Sequence, residues 1–177
     1  MGPTLQSVFM TRIHTLTALL LSALLLAACG FQLRGQYTFD FDRIELRGME
    51  KTEMNRNMNL QMQIMGIAVN TADGAPLKLT LLKEKRDRSI VTFSASGRAR
   101  EVRLTYDLDY QVTDKQGDFL IATTTLQQRR ELTYSDDQIL GKEMEEANLY
   151  TEMQRDIARQ ISARLAALKL SKRNDKS

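Results

Sequence analysis

The stretch "VRLTYDLDYQV", residues 102–112, alternates without a fault. Val102, Leu104, Tyr106, Leu108, Tyr110 and Val112 fall on one side of an extended chain. Arg103, Thr105, Asp107, Asp109 and Gln111 fall on the other. Successive side chains of a strand point to opposite faces, so this pattern predicts an antiparallel strand with one face buried and one wet. "TDKQGD" (113–118) then reads as a hairpin turn into a partner strand, "FLIATTTLQQRREL" (119–132). Upstream, "LKLTLLKEKRDRSIVTF" (77–93) reads as a third strand, with a break or bulge expected near residues 86–89. It is joined to the central strand by the turn "SASG" (94–97) and preceded by the turn "NTADGAP" (70–76).

A sheet with one apolar face needs a cover. "TEMNRNMNLQMQIMGIAV" (52–69) places Met54, Met58, Met62 and Met65 at helical spacing. Met58, Leu60, Met62 and Ile64 also alternate, which a strand would explain, but straight-chain residues dominate and β-branched ones are scarce, which favours helix. Such a methionine stripe is read as core packing. Near the C-terminus, "SDDQ" (135–138) fits a capping box, with Ser135 as N-cap and Gln138 reaching back. Leu140, Met144, Ala147, Tyr150, Met153, Ile157, Ile161, Leu165 and Leu168 then recur at three- and four-residue steps, predicting a long amphipathic helix. "QYTFDFDRIEL" (36–46) reads as an extended entry and first strand. The order strand, helix, three strands, helix implies an α+β fold. Its form is a two-layer sandwich, with two helices packed on one face of a four-stranded, mostly antiparallel sheet.

The N-terminus carries a different signal. Between residues 16 and 28 the only polar side chains are Thr17 and Ser22, and Arg12 stands just before. The run has the length of a signal-peptide core and is short for a membrane span. Either Met1 or Met10 can serve as the start. A myristoylation signal fails, because the required Ser or Thr is Gln6. "LAAC" (26–29) has the form of a lipobox: an aliphatic residue, two small ones, then the only cysteine of the chain, Cys29. A disulfide would need a second cysteine. The expected organisation is a lipoprotein signal peptide over 1–28, one periplasmic domain over 29–170 anchored at acylated Cys29, and a polar, disordered tail over 171–177. Several acyl chains hold a protein to a membrane firmly where one is marginal. Gly30 is not the Asp that commonly retains such proteins at the inner membrane, so the expected place is the outer membrane, facing the periplasm.

The chemistry that is missing narrows the function. The only histidine, His14, lies in the signal peptide, so residues 29–177 offer no Cys–His or Ser–His pair and no His or Cys metal cluster. No Gly-rich phosphate loop is present, and Asp107 and Asp109 read as a solvated face. The chain is expected not to be an enzyme and to need no cofactor. A net charge of +3 does not mark a nucleic-acid binder. Basic residues do gather, however. Arg98, Arg100 and Arg103 surround one hairpin, Arg86 and Arg88 precede it, and Lys142 stands near the start of the last helix. Guanidinium groups suit phosphate.

"CGFQLRG" (29–35) resembles the N-terminus of the LptE family, lipopolysaccharide-assembly lipoproteins of the Gram-negative outer membrane. "RELTYSDDQILGKEMEEANLYTEMQRDIARQISARL" (130–165) is similar to that family's C-terminal helix and its entry. The order of elements also resembles the family's two helices on a four-stranded sheet. The resemblance implies a plug inside the LptD β-barrel, one-to-one, that assists barrel assembly and binds lipopolysaccharide (LPS) on its way to the outer leaflet. It implies LPS contact through basic residues at the middle hairpin, here Arg98 and Arg100, and near the start of the last helix, here Lys142. A lipid-delivery lipoprotein of an ABC-type envelope system, with no barrel partner, is the alternative. A cell-wall hydrolase lacks a catalytic constellation.

Overall fold

The computed structural model describes residues 37–71, 74–134 and 139–170. The signal segment, Cys29, the motif at 29–35, the capping box at 135–138 and the tail at 171–177 lie outside the described residues. The elements are β1 (Arg43–Arg47), α1 (Glu53–Ile64), β2 (Ala68–Val69), β3 (Leu77–Phe93), β4 (Ala99–Asp114), β5 (Phe119–Thr133) and α2 (Ile139–Ala166). Both helices cover one face of a five-stranded mixed sheet of order β2-β1-β3-β4-β5.

β4 is the organising strand. Val102, Leu104, Tyr106, Leu108, Tyr110 and Val112 are all fully buried, as the alternation requires. β3 and β5 flank it in antiparallel register, with Leu79 opposite Val112 and Leu108 opposite Leu126. The helices cover the apolar side: Met54, Met58 and Met62 from α1, and Met153, Ile157, Ile161 and Leu165 from α2, are all buried to zero exposure. The methionine stripe is therefore core.

Three features depart from the sequence reading. First, the helix predicted over 52–69 ends at Ile64. Thr52 starts it, its hydroxyl accepting from the Asn55 N–H at 3.2 Å. Gly66, at φ +76°, turns the chain out of the helix. Ala68 and Val69 then pair with Arg43 and Ile44 as a fifth, two-residue strand. Second, β1 runs parallel to both its neighbours. α1 supplies the crossover that parallel pairing of β1 with β2 demands. Third, the bulge expected near residues 86–89 lies earlier. The register slips between Leu81 and Lys83, and again between Ile90 and Phe93.

The first slip reverses the phase of β3. Before it, Leu77, Leu79 and Leu81 face the helices and are buried. After it, Glu84, Arg86, Arg88 and Ile90 stand opposite Leu108, Tyr106, Leu104 and Val102, on the helix-covered face. One extra residue, Leu82, thus carries two arginines to the side where the helices lie.

On the opposite face, β4 and β5 are joined by polar cross-strand pairs. Gln127 donates to Asp107 at 2.7 Å, Thr125 to Asp109 at 2.6 Å and Thr123 to Gln111 at 3.1 Å. Arg103 pairs with Glu131 at 3.1 Å. Cross-strand pairs of this kind order a wet surface and add little stability each.

Candidate functional site

Of the basic residues, the family resemblance points to Arg98, Arg100 and Lys142. The structure puts all three at one end of the sheet. Arg98 and Arg100 belong to the β3–β4 hairpin, closed by Ser94 N–H to the Arg98 carbonyl at 2.7 Å and Gly97 N–H to the Ser94 carbonyl at 3.0 Å. The exit of β5 lies beside it, because Thr133 is opposite Glu101 and the Tyr134 N–H donates to the Arg100 carbonyl at 2.8 Å. From that exit the chain enters α2, whose first turn carries Lys142.

The three cations differ in state. Arg98 and Arg100 are exposed. The Arg100 guanidinium has no ion-pair or hydrogen-bond partner among the described residues. Lys142 is mostly covered, its side chain 17% exposed, and it pairs with Glu145 one turn on at 2.8 Å. A helix pair at this spacing is worth only about 0.2–0.5 kcal/mol. Exposed apolar side chains accompany the charges on β3: Ile90, Val91 and Phe93. Met144 is also exposed and so is Ala147, against the expectation that both would join the apolar stripe of the helix. The covered stripe of α2 begins instead at Tyr150. Leu140 falls among the side chains outside the description.

Arg86 and Arg88 take part in another arrangement that the sequence did not reveal. Each lies between a tyrosine and a helix carboxylate. The Arg86 guanidinium sits 5.2 Å from the Tyr150 ring and 6.0 Å from the Tyr106 ring, with Glu53 of α1 at 3.7 Å. Fully buried Gln154 of α2 lies beside the same pair, and with its amide turned so that the oxygen faces Arg86 at 3.0 Å, its nitrogen donates to Glu53 at 3.3 Å. Arg88 sits 5.4 Å from the Tyr134 ring, and its Nε donates to Glu146 at 3.3 Å. The Tyr134 hydroxyl donates to the same Glu146 oxygen at 3.0 Å. Hydrogen bonding and charge from Tyr134, with Glu146 beside it, push the Arg88 pKa up. Arg130 of β5 completes the series with Asp156 of α2 at 2.5 Å. Sheet arginines therefore meet helix carboxylates across this half of the interface. The signal for this was a phase change in β3, which residue type alone does not disclose.

Asp107 and Asp109 are held by Gln127 and Thr125, so the pair has the character of a hydrogen-bonded surface. Among the described residues no group of His, Cys, Asp or Glu is arranged to hold a metal ion, and no helix is long and apolar enough to cross a membrane.

Comparison with known proteins places the fold. A family model described as LptE, lipopolysaccharide-assembly, matches residues 42–165. The solution structure of an uncharacterized lipoprotein B from Nitrosomonas europaea is similar at 28% identity and a TM-score of 0.62, covering 75% of this chain and 87% of that one. The rare lipoprotein B of Shewanella oneidensis shares the fold at 20% identity and a TM-score of 0.62, covering 71% of this chain and 94% of that one. A minor lipoprotein from Acinetobacter baumannii does so at 18% identity and a TM-score of 0.60, covering 73% of this chain and 94% of that one. Among curated proteins, none matches this chain.

Proposed function

Because the chain belongs to the LptE lipopolysaccharide-assembly family, which is non-enzymatic, we propose that it is a lipid-anchored component of LPS assembly at the outer membrane. In this reading Cys29 carries the acyl chains, and the folded domain stands on the periplasmic side. The domain plugs the LptD β-barrel one-to-one, assists its assembly, and binds LPS during insertion into the outer leaflet. The similar lipoproteins of known structure support the anchor. The wet, hydrogen-bonded outer face of β4 and β5 suits the water-filled lumen of a large barrel.

One observation carries the LPS part of the reading: Arg98, Arg100 and Lys142 share one end of the sheet with exposed Ile90, Val91 and Phe93. An amphiphile with phosphates and acyl chains matches a surface that offers cations beside apolar side chains. Replacing Arg98, Arg100 and Lys142 together by Asp tests it. Binding of purified LPS is expected to weaken by more than about tenfold, with an unchanged far-ultraviolet circular dichroism spectrum, since each of the three contacts contributes about 1 kcal/mol. Unaltered LPS binding by the folded variant would remove these residues from the site.

A further inference from the structure

Lys142 stands, partly covered, on a part of α2 that extends past the apolar core. From Gly141 to Asn148 the helix is exposed except at Lys142 and Glu146. These two are one turn apart and share the side that continues into Tyr150 and Met153. The buried stripe thus changes from apolar to a carboxylate and then to an ammonium as the helix passes toward the hairpin end. Glu146 is the residue that bonds this overhang to the sheet. One of its oxygens accepts from Arg88 Nε at 3.3 Å and from the Tyr134 hydroxyl at 3.0 Å. Tyr134 is fixed in turn by its N–H on the Arg100 carbonyl at 2.8 Å. One chain of contacts therefore runs from Lys142's helix face, through Glu146, Tyr134 and Arg88, to the backbone of the residue that carries the exposed Arg100 guanidinium.

We infer that Arg88, Tyr134 and Glu146 are positioning residues that hold the Lys142 turn of α2 against the hairpin, so that Lys142 and Arg100 meet one anionic ligand as a preformed pair. The inference rests on the reading of Lys142 and Arg100 as the phosphate contacts. A long flexible lysine on a loose helix end would spend binding energy on being ordered; one whose turn is already bonded to the sheet does not. The bulge at Leu82 has a function in this scheme, because it delivers Arg88 to the covered face where Glu146 can reach it.

The test is a set of double-mutant cycles, read as binding of purified LPS to the full chain in detergent. Lys142→Gln is expected to weaken binding about fivefold in the native background, the loss of a charge-assisted contact. In an Arg88→Gln background the same change is expected to cost less than about twofold, because Lys142 is no longer held in place. In the swapped background, Arg88→Glu with Glu146→Arg, the fivefold loss returns. Arg100→Gln keeps its own loss in every background, which separates positioning from general unfolding. If Arg88→Gln does not fold, Tyr134→Phe, which alters no charge, replaces it. A Lys142→Gln loss of equal size in all backgrounds would overturn the inference and leave the binding site intact. No loss in the native background would overturn both the inference and the assignment of Lys142.

Discussion

Gly48 lies so close to Leu81 that a Cβ built on it would stand 2.0 Å from the Leu81 carbonyl oxygen. This contact joins the end of β1 to the residue at which β3 slips register. Gly48 also has φ +78°, a conformation open to glycine. Its carbonyl accepts from the Asn55 side chain at 2.9 Å, tying the turn to α1.

Gly48→Ala is therefore expected to be among the more damaging single-methyl additions in the domain. It meets backbone, which cannot swing away, and it strains φ. A loss of more than about 2 kcal/mol in urea unfolding is expected. A change below about 0.5 kcal/mol would mean that the β1–β3 contact is looser than the structure shows.

Met58 and Ile64 stand on the same helix with opposite fates. Met58 is fully buried, whereas Ile64 is 72% exposed. Met58→Ala should cost about 2–5 kcal/mol, while Ile64→Ala should stay within about 0.5 kcal/mol. Equal effects measured by denaturant unfolding would contradict the placement of the methionine stripe in the core.

Burial raises the Tyr106 hydroxyl well above the ordinary tyrosine value, and its 2.5 Å hydrogen bond to Glu84 raises it further. A tyrosine raised in this way keeps its proton in the folded chain at a pH where the unfolded chain has lost it. Its stabilising effect is complete below the ordinary value of 10.0 and is lost as pH rises beyond that. The decline has a limiting slope of about 1.4 kcal/mol per pH unit for this group. Unfolding free energies measured from about pH 8 to about pH 11 should fall above pH 10, and Tyr106→Phe should flatten the fall. A slope equally steep in Tyr106→Phe would assign the alkaline loss elsewhere.

Much of this fold is legible in residues 102–112 alone. A perfect period of two states which side of β4 is dry, and the two amphipathic segments that can cover it are visible on either side. What escapes the sequence depends on long-range geometry. The bulge at Leu82 changes the face of the β3 residues from 83 to 90, yet Leu82 looks like its neighbours. Ala68 and Val69 form a strand only because β1 offers an edge to pair with. The candidate site divides in the same way. Arg98, Arg100 and Lys142 are noticeable as cations near turns, whereas the sheet-arginine and helix-carboxylate contacts exist only once α1 and α2 are docked. Met144 and Ala147 continue the helical period in sequence but lie past the end of the core, where the period has nothing to pack against.

The barrel-plug reading is tested most sharply by capturing the tagged chain from detergent-solubilised outer membranes of its own host and identifying what elutes with it. The LptD β-barrel is expected at one-to-one stoichiometry. Elution with an inner-membrane transporter, or with no barrel at all, would contradict it.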